Sequence, residues 1–145
     1  MFKHSERFMA STSPSQNSGL ALLRVALGTM WIAHALLKWF VFTLPGTAQF
    51  FESVGYAGWL AYPVFAAELL GGLAILLGVY ARHVALALVP VMLAAAWVHV
   101  PNGWVFSNQG GGWEYPVFLA VASVALALAG EGRWALRPAL LVRAA

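Results

Sequence analysis

GLALLRVALGTMWIAHALLKWFVFTL, residues 19–44, decides the fold. The run is apolar and longer than the roughly 20 residues that carry a helix across a bilayer. Three ionisable residues interrupt it: Arg24, His34 and Lys38. A charge near the bilayer centre costs about 2.5–3.5 kcal/mol on insertion scales, so it is kept where it has a partner or a task. At helical periodicity Arg24, Trp31, His34 and Lys38 fall within an arc of about 80°, a single face expected to look into a bundle.

The same pattern continues along the chain. A second apolar segment covers residues 60–80, a third covers 83–100 with Pro90 in its middle, and a short fourth covers 113–130. Four helices follow, so the expected fold class is all-α, an integral membrane four-helix bundle. Residues 1–18 are polar and read as a flexible cytoplasmic tail, residues 19–137 as the membrane domain, and residues 138–145 as a second tail. A basic start and Ala33-x-Ala35 give the first segment a signal-peptide flavour, but its length exceeds an h-region, and an uncleaved spanning helix is expected.

Composition agrees. The chain has 145 residues, 61% of them hydrophobic and 9% charged, with mean hydropathy +0.77. A net charge of +3 and a pI near 9.7 rest on only eight Lys and Arg, gathered mainly near the chain ends, which argues against nucleic acid as a partner. There is no cysteine, so disulfides, thiolate metal sites and covalent haem attachment are excluded for the chain by itself.

The basic residues also set orientation. Lys3 and Arg7 precede the first helix, Arg82 lies between the second and third, and Arg133, Arg137 and Arg143 follow the fourth; residues 45–59 and 101–112 contain no Lys or Arg. The positive-inside rule then expects both termini in the cytoplasm and those two loops outside. Phe50, Phe51, Val54 and Trp59 have the spacing of a half-helix lying in the interface. The second loop carries Trp104, Trp113 and the glycines Gly110 to Gly112.

With this topology Lys38, Glu68, His99 and Glu114 come from four helices to one layer in the outer half of the membrane, and His34 lies one turn deeper. Arg24, near the inner end, is expected to snorkel or to meet inner-leaflet phosphates. Lys38 and Glu68 make the simplest pairing, and a buried pair of this kind also serves to fix helix register. His99 with Glu114 reads as a loop-tethering hydrogen bond or as part of the same pocket. Such a layer suits the head group of a quinone or another small oxygenated aromatic, with Lys or His donating to oxygen and Glu or His passing protons. A metal held by His34, His99, Glu68 and Glu114 competes with the Lys38 charge, and no metal is expected. A haem between His34 and His99 would have to join two different depths.

At these residues the chain resembles the DoxX family of small four-helix bacterial and archaeal membrane proteins. The matching pieces are LLRVALG over residues 22–28 with Lys38 downstream, Phe50-Phe51 leading to Gly55, and Glu68-Leu-Leu-Gly-Gly72 running on to Gly78. Met92, His99 and Asn108-Gln-Gly-Gly-Gly-Trp-Glu114-Tyr complete them. The resemblance covers residues 19–137 and adds Asn108 to the pocket; His34 has no clear counterpart. It implies a cell-membrane subunit associated with redox chemistry near the quinone pool, since relatives include the membrane subunit of an archaeal thiosulfate:quinone oxidoreductase and members of oxidative-stress complexes in mycobacteria. The expected function is therefore an oxidoreductase-associated membrane subunit that binds a quinone, with membrane lipids and other membrane or oxidoreductase subunits as partners. The alternative is a non-catalytic scaffold for a larger membrane complex.

Overall fold

The computed structural model of the chain describes residues 13–136; Lys3, Arg7, Arg137, Arg143 and most of both expected tails lie outside the described residues. Among the described residues the elements are all helical: α1 (Pro14–Phe40), α2 (Leu44–Ser53), α3 (Ala61–Leu77), α4 (Ala81–His99) and α5 (Glu114–Ala129).

Helix α1 starts earlier than its apolar run, and residues 14–18, expected in the tail, form its first turn. The cause is local. Ser13 and Gln16 make a reciprocal capping box, the Ser13 hydroxyl accepting from the Gln16 N–H at 3.2 Å and the Gln16 side chain from the Ser13 N–H at 2.7 Å. Pro14 sits at the first helical position, where its missing N–H costs nothing.

The helix also stops earlier than expected, at Phe40. Thr43, at φ 59 and ψ 154, turns the chain into α2 in a conformation that β-branched residues rarely adopt. Its hydroxyl accepts from the Gly46 N–H at 3.2 Å, and its carbonyl accepts from the Thr47 hydroxyl at 2.9 Å. These contacts hold the strained residue in place. The first loop does hold a helix, but α2 lies earlier than the expected half-helix: it contains Phe50 and Phe51, ends before Val54, and leaves Trp59 to a 3-10 turn at Gly58–Leu60.

Three segments are long and apolar enough to cross a membrane: Pro14–Val41, Gly58–Leu77 and Ala81–Asn102. Helix α5 has 16 residues, about 24 Å at 1.5 Å per residue, against a hydrocarbon core of about 30 Å. Helix α4 runs through Pro90 without interruption.

Helix α1 lies against α3 and α5, and α4 lies against α3 and α5, with α2 packed at one end on α3. The α1–α3 seam is the tightest. A Cβ on Gly28 would fall 2.6 Å from the Leu76 backbone nitrogen, and one on Gly72 2.9 Å from that of Ile32. Two glycines facing across the seam therefore allow an approach that any side chain would prevent. Leu27, Trp31, Ile75, Leu88, Leu119 and Leu126 fill the space between the four long helices.

Candidate functional site

The close α1–α3 approach brings Lys38 to Glu68. The lysine Nζ lies 2.8 Å from one carboxylate oxygen and 3.0 Å from the other. Glu68 is 1% exposed, while the Lys38 side chain is 17% exposed, so the pair opens on the lysine side. An ammonium has three hydrogens, and the two contacts to Glu68 engage at most two. Lys38 therefore keeps the capacity to donate to a further oxygen.

One turn back on the same face, His34 Nε2 lies 3.3 Å from the Tyr115 hydroxyl of α5, and the two rings stack with centroids 5.4 Å apart. Below them on this face, Trp31 is 1% exposed. Its indole N–H has no hydrogen-bond partner among the described residues. A buried donor left unmatched is unusual and costs on the order of 1–3 kcal/mol. Trp31, His34 and Lys38 form one polar stripe on α1, closed by Glu68 from α3 and Tyr115 from α5.

The remaining expected residues find their hydrogen-bond partners outside this stripe. His99 donates from Nδ1 to the Ala95 carbonyl of its own helix at 2.7 Å, and its ring lies under Gly111. Glu114 accepts from the Phe106 N–H at 2.8 Å and so ties down the second loop. Among the described residues no hydrogen bond or ion pair joins His99 to Glu114, in contrast to the tether expected between them. Asn108 is exposed and donates to the Asn102 carbonyl at 2.8 Å within that loop. Hydrogen bonding thus sorts the expected groups into a stripe on the α1–α3–α5 seams and a self-bonded loop. The two adjoin at the start of α5, where Glu114 serves the loop and Tyr115 serves the stripe.

Arg24 is corrected more sharply. It does not reach toward lipid phosphates: at 2% exposed its guanidinium donates inward to backbone carbonyls. These belong to Ile75 and Leu76 at the end of α3 and to Glu131 and Arg133 beyond α5, the last two at 2.9 Å. A cation at the carbonyl ends of two helices matches their dipoles and satisfies acceptors that the helices leave open. Arg82 acts likewise on α5, donating to Ala127 O at 2.7 Å.

Tyr115 and the unpartnered Trp31 N–H are the site features that sequence reasoning missed. Tyr115 directly follows the Gly-Gly-Gly-Trp-Glu motif. A hydroxyl in the first turn of an apolar helix, opposite the His34 face, was its available signal. Among the described residues no three His, Asp or Glu side chains converge as a metal site would need.

A small helical protein of membrane-crossing length, with a buried Lys–Glu pair on its central seam, is the class that fold and site define. The model of the DoxX family matches residues 19–100. The chain is 35% identical over 120 residues to a Bacillus subtilis (strain 168) protein called "Putative oxidoreductase CatD", covering 83% of this chain and 85% of that one. The chain belongs to the DoxX family. No solved structure matches it.

Proposed function

We propose that the chain is a redox-associated subunit of a bacterial inner membrane, crossing it four times with both termini inside and binding a quinone between Lys38, His34 and Tyr115. The observation that carries this reading is the Lys38–Glu68 pair, whose carboxylate is buried while its ammonium keeps a donor and some exposure. A pair needed only for register has no use for an open side.

The orientation rests on where the charges lie. Arg24, Arg82 and Arg133 gather where α3 and α5 end, whereas Lys38 stands near the other end of α1. That asymmetry matches the positive-inside rule. Helix α5 falls short of the core even without tilt, so in this reading the outer loop, with Trp104 and Trp113 packed edge-to-face, completes the crossing or the bilayer thins around it.

The residues fit the group. A quinone offers carbonyl oxygens that accept and, when reduced, hydroxyls that donate. Lys38 supplies a donor, Tyr115 and His34 supply groups that both donate and accept, and the Trp31 N–H is a donor in search of an acceptor. When bound, a quinone supplies a carrier of electrons and protons. Lys38 orients a carbonyl oxygen and Glu68 holds the ammonium in place. The Tyr115 hydroxyl and His34 Nε2, already within hydrogen-bond reach, move a proton between the bundle interior and the loop side. The chain has no cysteine with which to exchange electrons through thiols, and the reading therefore includes a partner oxidoreductase subunit that delivers them. The name of the Bacillus subtilis relative points to the same chemistry.

The test is mass spectrometry of lipids extracted from protein purified in mild detergent. A quinone in stoichiometric amount in the wild type, absent from Lys38→Met at equal protein yield, is the expected result. Wild-type protein that carries no quinone and takes up none when it is added refutes the reading.

A further inference from the structure

The outer end of the α1–α3 seam carries a groove of about 340 Å³ walled by Trp39, Thr43, Leu44, Pro45 and Tyr62. That volume lies at the lower end of the roughly 300–1,000 Å³ found for small-molecule sites. Its position relative to the polar stripe is set by the chain itself. Trp39 follows Lys38 and stacks on Phe65 with centroids 5.4 Å apart and planes 24° apart. Phe65 is one turn before Glu68 on α3, and Tyr62 is one turn before Phe65. Each helix that supplies one half of the ion pair therefore also supplies an aromatic wall of the groove. The floor is the sharp turn that Thr43 forces between α1 and α2.

We infer that this groove holds the isoprenoid chain of the quinone whose head the Lys38–Glu68 pair receives. The inference rests on the quinone reading above and adds where the chain lies and by which side the molecule enters, between the end of α1 and the start of α3. Charge decides the occupant. A phospholipid laid in the groove could offer an oxygen to the same spare donor, but its anionic phosphate would leave a net negative charge beside a pair that Glu68 already makes neutral. A neutral carbonyl needs only the donor that Lys38 has left. Aromatic walls with little polar lining suit an unsaturated hydrocarbon chain.

The experiment compares two probes by quenching of tryptophan fluorescence in one detergent: a benzoquinone without a side chain and the same head carrying a short isoprenoid chain. Leu44→Trp fills the groove. Because partition into detergent is common to both proteins, the quantity read is the ratio of tailed to tail-less affinities. That ratio is expected to fall about tenfold in Leu44→Trp, the factor that corresponds to losing one good packing contact. An unchanged ratio overturns the inference and leaves the quinone reading standing. Failure of both probes to bind the wild type removes the quinone reading, and this inference with it. Displacement of the tailed probe by added phosphatidylglycerol at matched concentration means a general lipid groove and overturns the assigned occupant. A second arm needs no variant. A tailed quinone with a photoreactive group at the chain end is expected to label Trp39, Leu44, Pro45 or Tyr62 on the wild-type protein. Labelling of the exposed α5 face at Phe118, Val121 or Leu128 instead counts against it.

Discussion

Arg24 and Lys38 are the same kind of residue on the same face of one helix, and the protein uses them in opposite ways. Arg24 is 2% exposed and meets only backbone carbonyls, its planar fork matched to the ends of α3 and α5. Lys38 meets one carboxylate, remains partly open and keeps a donor. Each cation leaves one donor over, Arg24 making four contacts from five N–H groups and Lys38 two from three. The difference is access: the spare donor of Arg24 is shut inside the bundle, and that of Lys38 sits on a partly open side chain. The tally of donors does not separate a fastener from the proposed ligand site; exposure does.

The comparison can be broken first at the seam that makes it possible. Gly72→Leu would drive a side chain into the α1 backbone at Ile32, and loss of nearly all monodisperse protein in fluorescence-detected size exclusion is expected. Arg24→Met comes next. It removes four contacts at once and takes the guanidinium from the Leu76, Glu131 and Arg133 carbonyls, so about 3 kcal/mol of stability is expected to go, read as a lowered thermal midpoint in detergent, with little change in quinone affinity per folded molecule. If Arg24→Met instead spares stability and abolishes binding, the two residues have been assigned the wrong way round.

Glu68→Gln sharpens the other side. It leaves the Lys38 ammonium without its counter-charge at a buried site, and a cost of about 3 kcal/mol is expected together with loss of quinone binding. Tyr115→Phe is the mildest change. The stack on His34 survives and one hydrogen bond is lost, so about 1 kcal/mol of stability is expected to disappear. Electron delivery to quinone, followed by its absorbance, is expected to slow more than that loss implies, as the proton-handling role proposed for the hydroxyl requires.

Much of this was legible in the sequence, and for a definite reason. Apolar runs of bilayer length announce spanning helices, and two consecutive antiparallel spans place residues at matched depth, which is why Lys38 and Glu68 can be paired without coordinates. A helix in the first loop was legible, but its bounds were not: of Phe50, Phe51, Val54 and Trp59 only the first two lie in α2, Val54 caps it and Trp59 falls in the 3-10 turn. The helix start at Pro14 was not read, because polar Ser and Gln in a capping box look like tail when only hydropathy is followed. The splitting of the polar layer was hidden for a different reason. Depth along the membrane normal follows from position in a helix, but the direction in which a side chain leaves its helix at a loop junction does not. His99 and Glu114, expected at one depth, bond to Ala95 and Phe106 rather than to each other. Tyr115 escaped because its partner, His34, lies 81 residues away in the chain.

The claim on which the rest depends is that the Lys38–Glu68 pair holds a ligand rather than merely fixing helix register. Replacing both partners by apolar residues of similar size, Lys38→Met with Glu68→Leu, removes the charges without stranding either one, and in soluble proteins such exchanges are often neutral for stability. The most direct measurement is the affinity of this double variant for the side-chain-free benzoquinone, beside the wild type in the same detergent. The account predicts protein that folds and accumulates like the wild type and binds the quinone at least about tenfold more weakly, a loss of about 1.4 kcal/mol or more. A folded double variant that binds as tightly as the wild type would contradict it.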